Sequence, residues 1–157
     1  MKVGVISDTH ATRHELLPEW VREAFRGVDC ILHAGDIEDP GFLKHLATIA
    51  PVHAVRGNMD RHAHDLPSFL CLKLGGGHVV MAHRYDEAVR HIDRDVILLV
   101  HGHTHIPEMV QEDGYWIVNP GSPIRPRGGH EPSVAVLNIC DRTIQAEFKY
   151  SPSDADS

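Results

Sequence analysis

Val96-Ile97-Leu98-Leu99-Val100-His101-Gly102-His103-Thr104-His105 runs from five aliphatic residues, three of them β-branched, into a Gly-His-Thr-His turn. A short apolar run bounded by a glycine turn reads as a buried strand, so two imidazoles are delivered to the mouth of a sheet. His103 and His105 stand two apart. If extended geometry persists past Val100, both rings project to one side, which suits two bonds to a metal ion. A polar loop with solvated histidines accounts for the same residues, because the chain carries 14 histidines and short His motifs recur by chance. The other strand ends separate the two readings.

Outward from this stretch, the pattern repeats. Lys2 to Ser7 is a short apolar run with Val3, Val5 and Ile6, and it leads into Asp8-Thr9-His10. Leu16, Leu17, Trp20, Val21, Ala24 and Phe25 recur at helical spacing, predicting a helix from about Arg13 to Arg26 that Gly27 stops. Asp8 alone would serve equally as a turn or N-cap residue before that helix. Val28 to Ala34 is the next strand, ending in Gly35-Asp36, and a helix follows over Pro40 to Ala50. Pro51 to Val55 is a third strand, ending in Arg56-Gly57-Asn58-Met59-Asp60. Ligands of open α/β sheets bind beyond the carboxyl ends of parallel strands, so Asp8, His10, Asp36 and Asn58 are expected to converge.

From Ser68 the texture changes. Phe69 to Leu74 and His78 to Ala82 flank Gly75-Gly76-Gly77 as a hairpin, and its second arm delivers His83. Tyr85 to Asp93 is a short helix candidate, and Asp95 to His105 is the strand already quoted. Glu108 to Gln111 and Tyr115 to Val118 flank the turn Asp113-Gly114, Asn119-Pro120-Gly121-Ser122 is a tight turn, and Ser133 to Ile139 pairs with Thr143 to Tyr150. A single domain over 1–150 with a disordered tail over 151–157 is expected.

Composition narrows the function. With 42% hydrophobic and 24% charged residues, the 157-residue chain is an ordinary globular protein. The run Val3-Gly4-Val5-Ile6 is too short for the core of a signal peptide, and no apolar stretch reaches membrane-spanning length, so a cytoplasmic protein is expected. Cys30, Cys71 and Cys140 are odd in number and widely spaced, which indicates neither a disulfide framework nor a thiolate zinc site. A net charge of -7 argues against broad capture of nucleic acid, while leaving room for a local positive site.

Asp8, His10, Asp36, Asn58, His83, His103 and His105 together offer oxygen and imidazole donors without sulfur. Such sets suit manganese, iron, zinc, cobalt or nickel, and donor type alone does not choose among them. Seven donors exceed what one tetrahedral zinc takes and match two ions sharing a carboxylate. Asp8-x-His10, Gly35-Asp36, Gly57-Asn58-x-Asp60, His83 after a strand and Gly102-His103-x-His105, in that order, resemble the calcineurin-like metallophosphoesterases. The short chain and the Asn119-Pro120-Gly121-Ser122 turn are similar to the small prokaryotic phosphodiesterase branch of that superfamily.

The resemblance implies an α/β fold, a four-layer α/β/β/α sandwich of two mixed sheets flanked by helices. It implies two divalent ions, manganese foremost, the first held by Asp8, His10, Asp36 and His105 and the second completed by Asn58, His83 and His103, with Asp36 bridging. A bridging hydroxide would attack phosphorus in line, and Asp8, His10, Asp36, Asn58 and His103 would carry the catalysis. The expected substrate is a small phosphodiester or nucleotide-type ester, with a homo-oligomer implied and no membrane partner. Asp60 is expected to orient a ligand histidine rather than to bind metal. Asn119, Ser122 and Arg125 are candidates for supporting the site or, with Arg127, reaching substrate oxygens.

Two places depart from the family pattern. Met59 stands where many members have a histidine that protonates the leaving oxygen, so His62 and His64 are candidate substitutes, with exposed loop histidines as the other reading. Arg84 stands where glycine is usual, and it either reaches the substrate phosphate or alters the loop. His33, His53 and His101 are read as structural. A non-catalytic assembly module resembling the retromer subunit is the alternative function, and the complete set of donors favours the enzyme.

Overall fold

The computed structural model describes residues 1–11, 17–61 and 65–152. In chain order they form β1 (Lys2–Ile6), α1 (Glu19–Ala24), β2 (Cys30–His33), α2 (Gly41–Ala47), β3 (Val52–Ala54), β4 (Phe69–Leu74), β5 (Gly77–Ala82), α3 (Tyr85–Ala88), β6 (Val96–Val100), β7 (Pro107–Glu112), β8 (Tyr115–Pro120), β9 (Ser133–Cys140) and β10 (Thr143–Tyr150), with one 3-10 turn over Val89–His91. One sheet has the order β10-β9-β1-β2-β3 and the other β4-β5-β6-β8-β7.

Alternation along the strands makes the layers. Val3 and Val5 of β1, Leu32 of β2, Met81 of β5, Leu98 and Val100 of β6 and Leu137 of β9 interdigitate between the two sheets. Ile6, Ile31 and Val136 point the other way, onto Val21 of α1, Phe25 just beyond it, and Phe42 and Leu46 of α2. Val80, Leu99 and Ile117 on the outer face of the second sheet are covered by Ala88 of α3 with Ile92 and Tyr115. Each fully buried aliphatic side chain stabilises the fold by about 1.5–3 kcal/mol. Three apolar layers between four structural ones are the α/β/β/α sandwich expected from the sequence.

β1, β2 and β3 are mutually parallel, as are β5, β6 and β8. In each trio the last residues are in register: Ile6 faces His33 and His33 faces Ala54, while Met81 faces Val100 and Val100 faces Val118. Six loops therefore leave the sandwich along one rim, which is where Asp8, Asp36, Asn58, His83, His103 and Ser122 are carried.

Several boundaries differ from the sequence expectation. Among the described residues the first helix begins after Pro18, with Leu17 and Pro18 outside it; proline lacks the N–H and fits ahead of a helix rather than inside one. Residues 13–16 of that expected helix, His62, His64 and residues 153–157 of the tail lie outside the described residues. The strand expected over Asp95 to His105 ends at Val100. The helix expected over Tyr85 to Asp93 is one α turn followed by the 3-10 turn. No described helix is long and apolar enough to cross a membrane.

Candidate metal centre

The loops do not continue the strands. Asp8, His10, Asp36, Glu38, His103 and His105 have φ values of 55°, 42°, 57°, 66°, 75° and 62°, the left-handed region that a side chain disfavours. The other described non-glycine residues there, Asp141 and Arg142, form the β9–β10 turn. The six fall into three pairs, each two residues apart. Extended geometry was expected to aim His103 and His105 to one side; a left-handed residue, a connecting residue and a second left-handed residue replace it in all three loops. Each such residue costs about 1–2 kcal/mol, so the strain is concentrated at the rim and maintained by contacts elsewhere. Backbone bonds from Asp8 N–H to Gly35 O and from His10 N–H to Asp36 O, both 2.9 Å, lock two of the loops together. Gly102 allows the third to close on them, because a Cβ there would strike Ser7 Oγ and lie 2.6 Å from Asp8 Oδ2.

Asp8 and Asp36 are buried and each presents one oxygen inward. Asp8 Oδ2 accepts the Ser7 hydroxyl at 2.8 Å and the His103 N–H at 3.0 Å, leaving Oδ1 for the centre. Asp36 Oδ1 accepts the Met59 N–H at 2.8 Å, leaving Oδ2. Around these oxygens stand three imidazoles whose outer nitrogens are occupied: His83 Nδ1 donates to Ala34 O at 2.8 Å, His105 Nδ1 to Arg125 O at 2.6 Å, and His10 Nδ1 to Glu38 Oε2 at 2.9 Å. With Nδ1 carrying the proton, each neutral ring aims a bare Nε2 lone pair inward.

Two donor groups result, Asp8 with His10 and His105, and Asp8 with Asp36 and His83, each with its ligand atoms within 4.8 Å of one another. His105 Nε2 is 3.2 Å from Asp8 Oδ1, and His83 Nε2 is 3.3 Å from Asp36 Oδ2. Asp36 Oδ2 is also 3.7 Å from His10 Nε2, so both carboxylates lie between the groups. Buried Asp8 Oδ1 and His83 Nε2 have no hydrogen-bond partner, and the Nε2 lone pairs of His10 and His105 face each other at 3.4 Å. Converging lone pairs in a buried site require a cation, and this oxygen and imidazole set fits borderline divalent ions.

Proton and cation compete for these atoms. Burial acts to lower the His83 pKa, but the Asp36 and Asp8 carboxylates prevail and raise it. Burial acts to raise Asp36, and the His83 ring prevails and lowers it. A metal ion replaces the proton in that relationship, so its affinity falls as pH falls.

The supporting residues differ in part from expectation. Asp60 orients no histidine among the described residues: its carboxylate accepts the backbone N–H groups of Asp36, Ile37, Glu38 and Gly57 at 2.7–2.9 Å, tying the Asp36 loop to the Asn58 loop. The residue that orients His10 is Glu38, which the sequence reading did not single out; an acidic residue two positions beyond a candidate ligand aspartate was the available signal. Asn119 is buried and pins the histidine loop, donating to Gly102 O at 3.1 Å and Thr104 Oγ1 at 3.0 Å. Ser122 Oγ donates to Asp8 O and accepts the Arg125 N–H, both at 2.8 Å, thereby fixing Asp8 and the carbonyl that holds His105. Arg125 thus acts through its backbone, while its side chain and that of Arg127 are exposed.

Asn58 is exposed and His103 half-buried, its ring 5.3 Å edge-on from that of His83, so these two border the centre on its open side. Burial, His83 and Arg84 hold the His103 imidazole below its ordinary pKa. His101 is buried, lowered by that burial, and donates Nδ1–H to Gly102 O at 3.1 Å. His53 is half-buried within β3. His33 is fully buried, accepting the Gly35 N–H at Nδ1 and bonding Thr9 Oγ1 at 3.1 Å.

Two expected outcomes follow from these contacts. Glu38→Gln removes a charged acceptor from His10 and is expected to weaken manganese binding by about 10- to 100-fold, as outer carboxylates of metal histidines do, measurable by calorimetry. Retention of full affinity would show that Glu38 does not set the His10 ring. For His33, burial above all pushes the pKa down from 6.5 to about 3. The unfolded chain takes up that proton below 6.5 and the folded chain only near 3, so stability is complete above 6.5 and is lost as pH falls towards 3. The slope is up to about 1.4 kcal/mol per pH unit. His33→Asn, which keeps an acceptor for the Gly35 N–H, is expected to flatten that loss in denaturant titrations with chelator present; an unchanged slope would refute it.

A sandwich with converging carboxylates and imidazoles at the ends of its parallel strands is the architecture of a metal-dependent hydrolase. The chain belongs to the calcineurin-like phosphoesterase superfamily, whose domain model matches residues 1–142. It is 40% identical over 158 residues to a probable metallophosphoesterase of Methanothermobacter thermautotrophicus, covering 94% of this chain and 91% of the relative. Among solved structures it resembles YfcE, a phosphoesterase from E. coli, with a TM-score of 0.71 and 26% identity over 94% of this chain and 98% of that one. Vps29 from Entamoeba histolytica, complexed with Zn2+, superposes with a TM-score of 0.76 at 24% identity, over 96% and 99% of the chains, a likeness of fold.

Proposed function

We propose that the protein is a dinuclear metal-dependent phosphodiesterase acting on small or nucleotide-type phosphodiesters, with manganese as its working metal. The observation that carries this reading is the pair of donor groups meeting at Asp8, with Asp8 Oδ1 and His83 Nε2 buried and unpartnered between them. Asp8, His10, Asp36 and His105 would hold one ion, and Asn58, His83 and His103 would complete the second site, with the Asp8 and Asp36 carboxylates lying between the two. The ions, when bound, neutralise the phosphoryl oxygens and supply an acidified water for in-line attack.

The rest falls to the chain itself. Asp8 and Asp36 bring about -2 against the +4 of two divalent ions, so the centre stays positive and attracts an anionic ester within an acidic protein. Neutral imidazoles and the Asn58 amide add donors without reducing that charge. Ala34 O, Arg125 O and Glu38 fix three rings before substrate arrives, which lowers the ordering cost of reaching the transition state. His103 and Asn58 lie on the exposed side, where an ester can approach. Met59 offers no proton for the leaving oxygen, which suits substrates whose leaving group departs as a stable anion or is protonated by solvent.

The test is hydrolysis of bis(4-nitrophenyl) phosphate and of 4-nitrophenyl phosphate by metal-stripped protein with manganese restored. Manganese-dependent turnover that is faster on the diester is expected, with two ions bound per chain. Faster turnover of the monoester would overturn the diester assignment, and one ion per fully active chain would overturn the dinuclear one.

A further inference from the structure

Beside the centre lies a cleft of about 230 Å3 lined by Arg56, Asn58, Ser68, His83, Arg84 and Glu87. His83 belongs to both places: its Nε2 lies 3.3 Å from Asp36 Oδ2 while the residue borders the cleft. The centre and the cleft are therefore neighbours on either side of one imidazole.

The charge of this cleft runs against that of the chain. It holds two guanidinium groups in a protein of net charge -7. Glu87, its one carboxylate, is already engaged by Arg90 at 3.2 Å and His91 at 3.3 Å. Arg84 touches Asp86 through Nε at 3.2 Å, in an exposed pair that water screens, and its terminal nitrogens have no partner among the described residues. Arg56, whose backbone N–H is anchored to Pro67 O at 2.8 Å, forms no ion pair among the described residues. Among the described residues no Phe, Tyr or Trp lines the cleft.

Two neighbouring guanidinium groups repel unless an anion lies between them, and their planar forks match the oxygens of a phosphate, which carries about -1.5 to -2 near neutral pH. We infer that Arg56 and Arg84 hold a second phosphate of the substrate, so that the preferred ester carries a further phosphate besides the scissile group. This rests on the phosphoesterase reading above. Ser68 supplies a hydroxyl donor to the same group.

Two diesters test it: 4-nitrophenyl thymidine 5′-phosphate and the same compound with an added 3′-phosphate, which share one scissile bond and one leaving group. The manganese-loaded protein is expected to favour the 3′-phosphorylated ester at least tenfold in kcat/KM, chiefly through KM. Arg56→Gln and Arg84→Gln are each expected to reduce that preference severalfold. Equal kcat/KM for the two esters, or a preference that survives in both variants, would overturn the inference while leaving the phosphodiesterase reading intact. If neither ester is turned over, that reading fails first, and calorimetry still decides the cleft. Thymidine 3′,5′-bisphosphate should bind at least tenfold more tightly than thymidine 5′-phosphate to the wild type, and equal affinities would refute the subsite.

Discussion

Asp8→Asn is expected to move stability and activity in opposite directions. The amide keeps the shape of the carboxylate, and its oxygen still accepts the Ser7 hydroxyl and the His103 N–H now bonded to Oδ2. Its NH2 replaces Oδ1, the buried atom without a partner, and faces His105 Nε2 at 3.2 Å and His83 Nε2 at 3.7 Å. The His105 lone pair accepts from it, while His83 Nε2 lies beyond hydrogen-bond reach. In the metal-free protein the variant thus gains about 1–3 kcal/mol, because an unsatisfied buried charge becomes a hydrogen-bonded amide. The manganese-dependent rise in melting temperature should vanish, since Asp8 belongs to both donor groups. Diester turnover should fall by more than the 10- to 100-fold typical of residues behind the ligands. Thermal melts with chelator and with manganese, alongside metal counts, check all three; a manganese-dependent shift equal to that of the wild type would refute the assignment.

Such a trade of stability for function explains where sequence reasoning succeeds. Asp8, Asp36 and His83 were legible because each stands within two residues of the end of an apolar run, and His105 because it closes the Gly-His-Thr-His turn beyond another, and the parallel order of the strands sends those ends to one rim. The layers were legible through the family resemblance alone: β1 and β5 read as short apolar runs, and the assignment of Val3, Val5 and Met81 to one face and Ile6 and Val80 to the other comes from the structure. Local geometry was not legible. Nothing in Asp8-Thr9-His10 announces left-handed φ at both ends, because aspartate and histidine visit that region only when surrounding contacts enforce it. Those contacts are long-range. Ser122 reaches Asp8 O from 114 residues away, and the Arg125 carbonyl reaches His105 across 20. A backbone carbonyl carries no side-chain identity, so no residue type could have pointed to Arg125 or Ala34 as the groups that set two imidazole tautomers. Pro18 is the opposite case, a local breaker whose signal was outweighed by the apolar period running through it.

Asp60→Ala is expected to be the most destabilising single change at the rim. The carboxylate is buried and accepts four backbone N–H groups from the Asp36 and Asn58 loops at once. Removing it strands donors that the surrounding chain has no oxygen to replace, at about 1–3 kcal/mol for each unsatisfied group. The losses do not add fully because the loops relax, so about 3–5 kcal/mol is expected, a large share of the 5–15 kcal/mol that holds a domain together. Asn is a poor remedy. Its single oxygen serves at most half of those donors, and its NH2 opposes the remaining N–H groups, so Asp60→Asn should recover little. The loops released are those that carry Asp36 and Glu38, so manganese affinity should fall together with stability although Asp60 touches no ion. Denaturant titrations of both variants with chelator present isolate the folding cost, and manganese calorimetry under folded conditions measures the second effect. A loss below about 1 kcal/mol for Asp60→Ala would mean that water replaces the carboxylate at this rim.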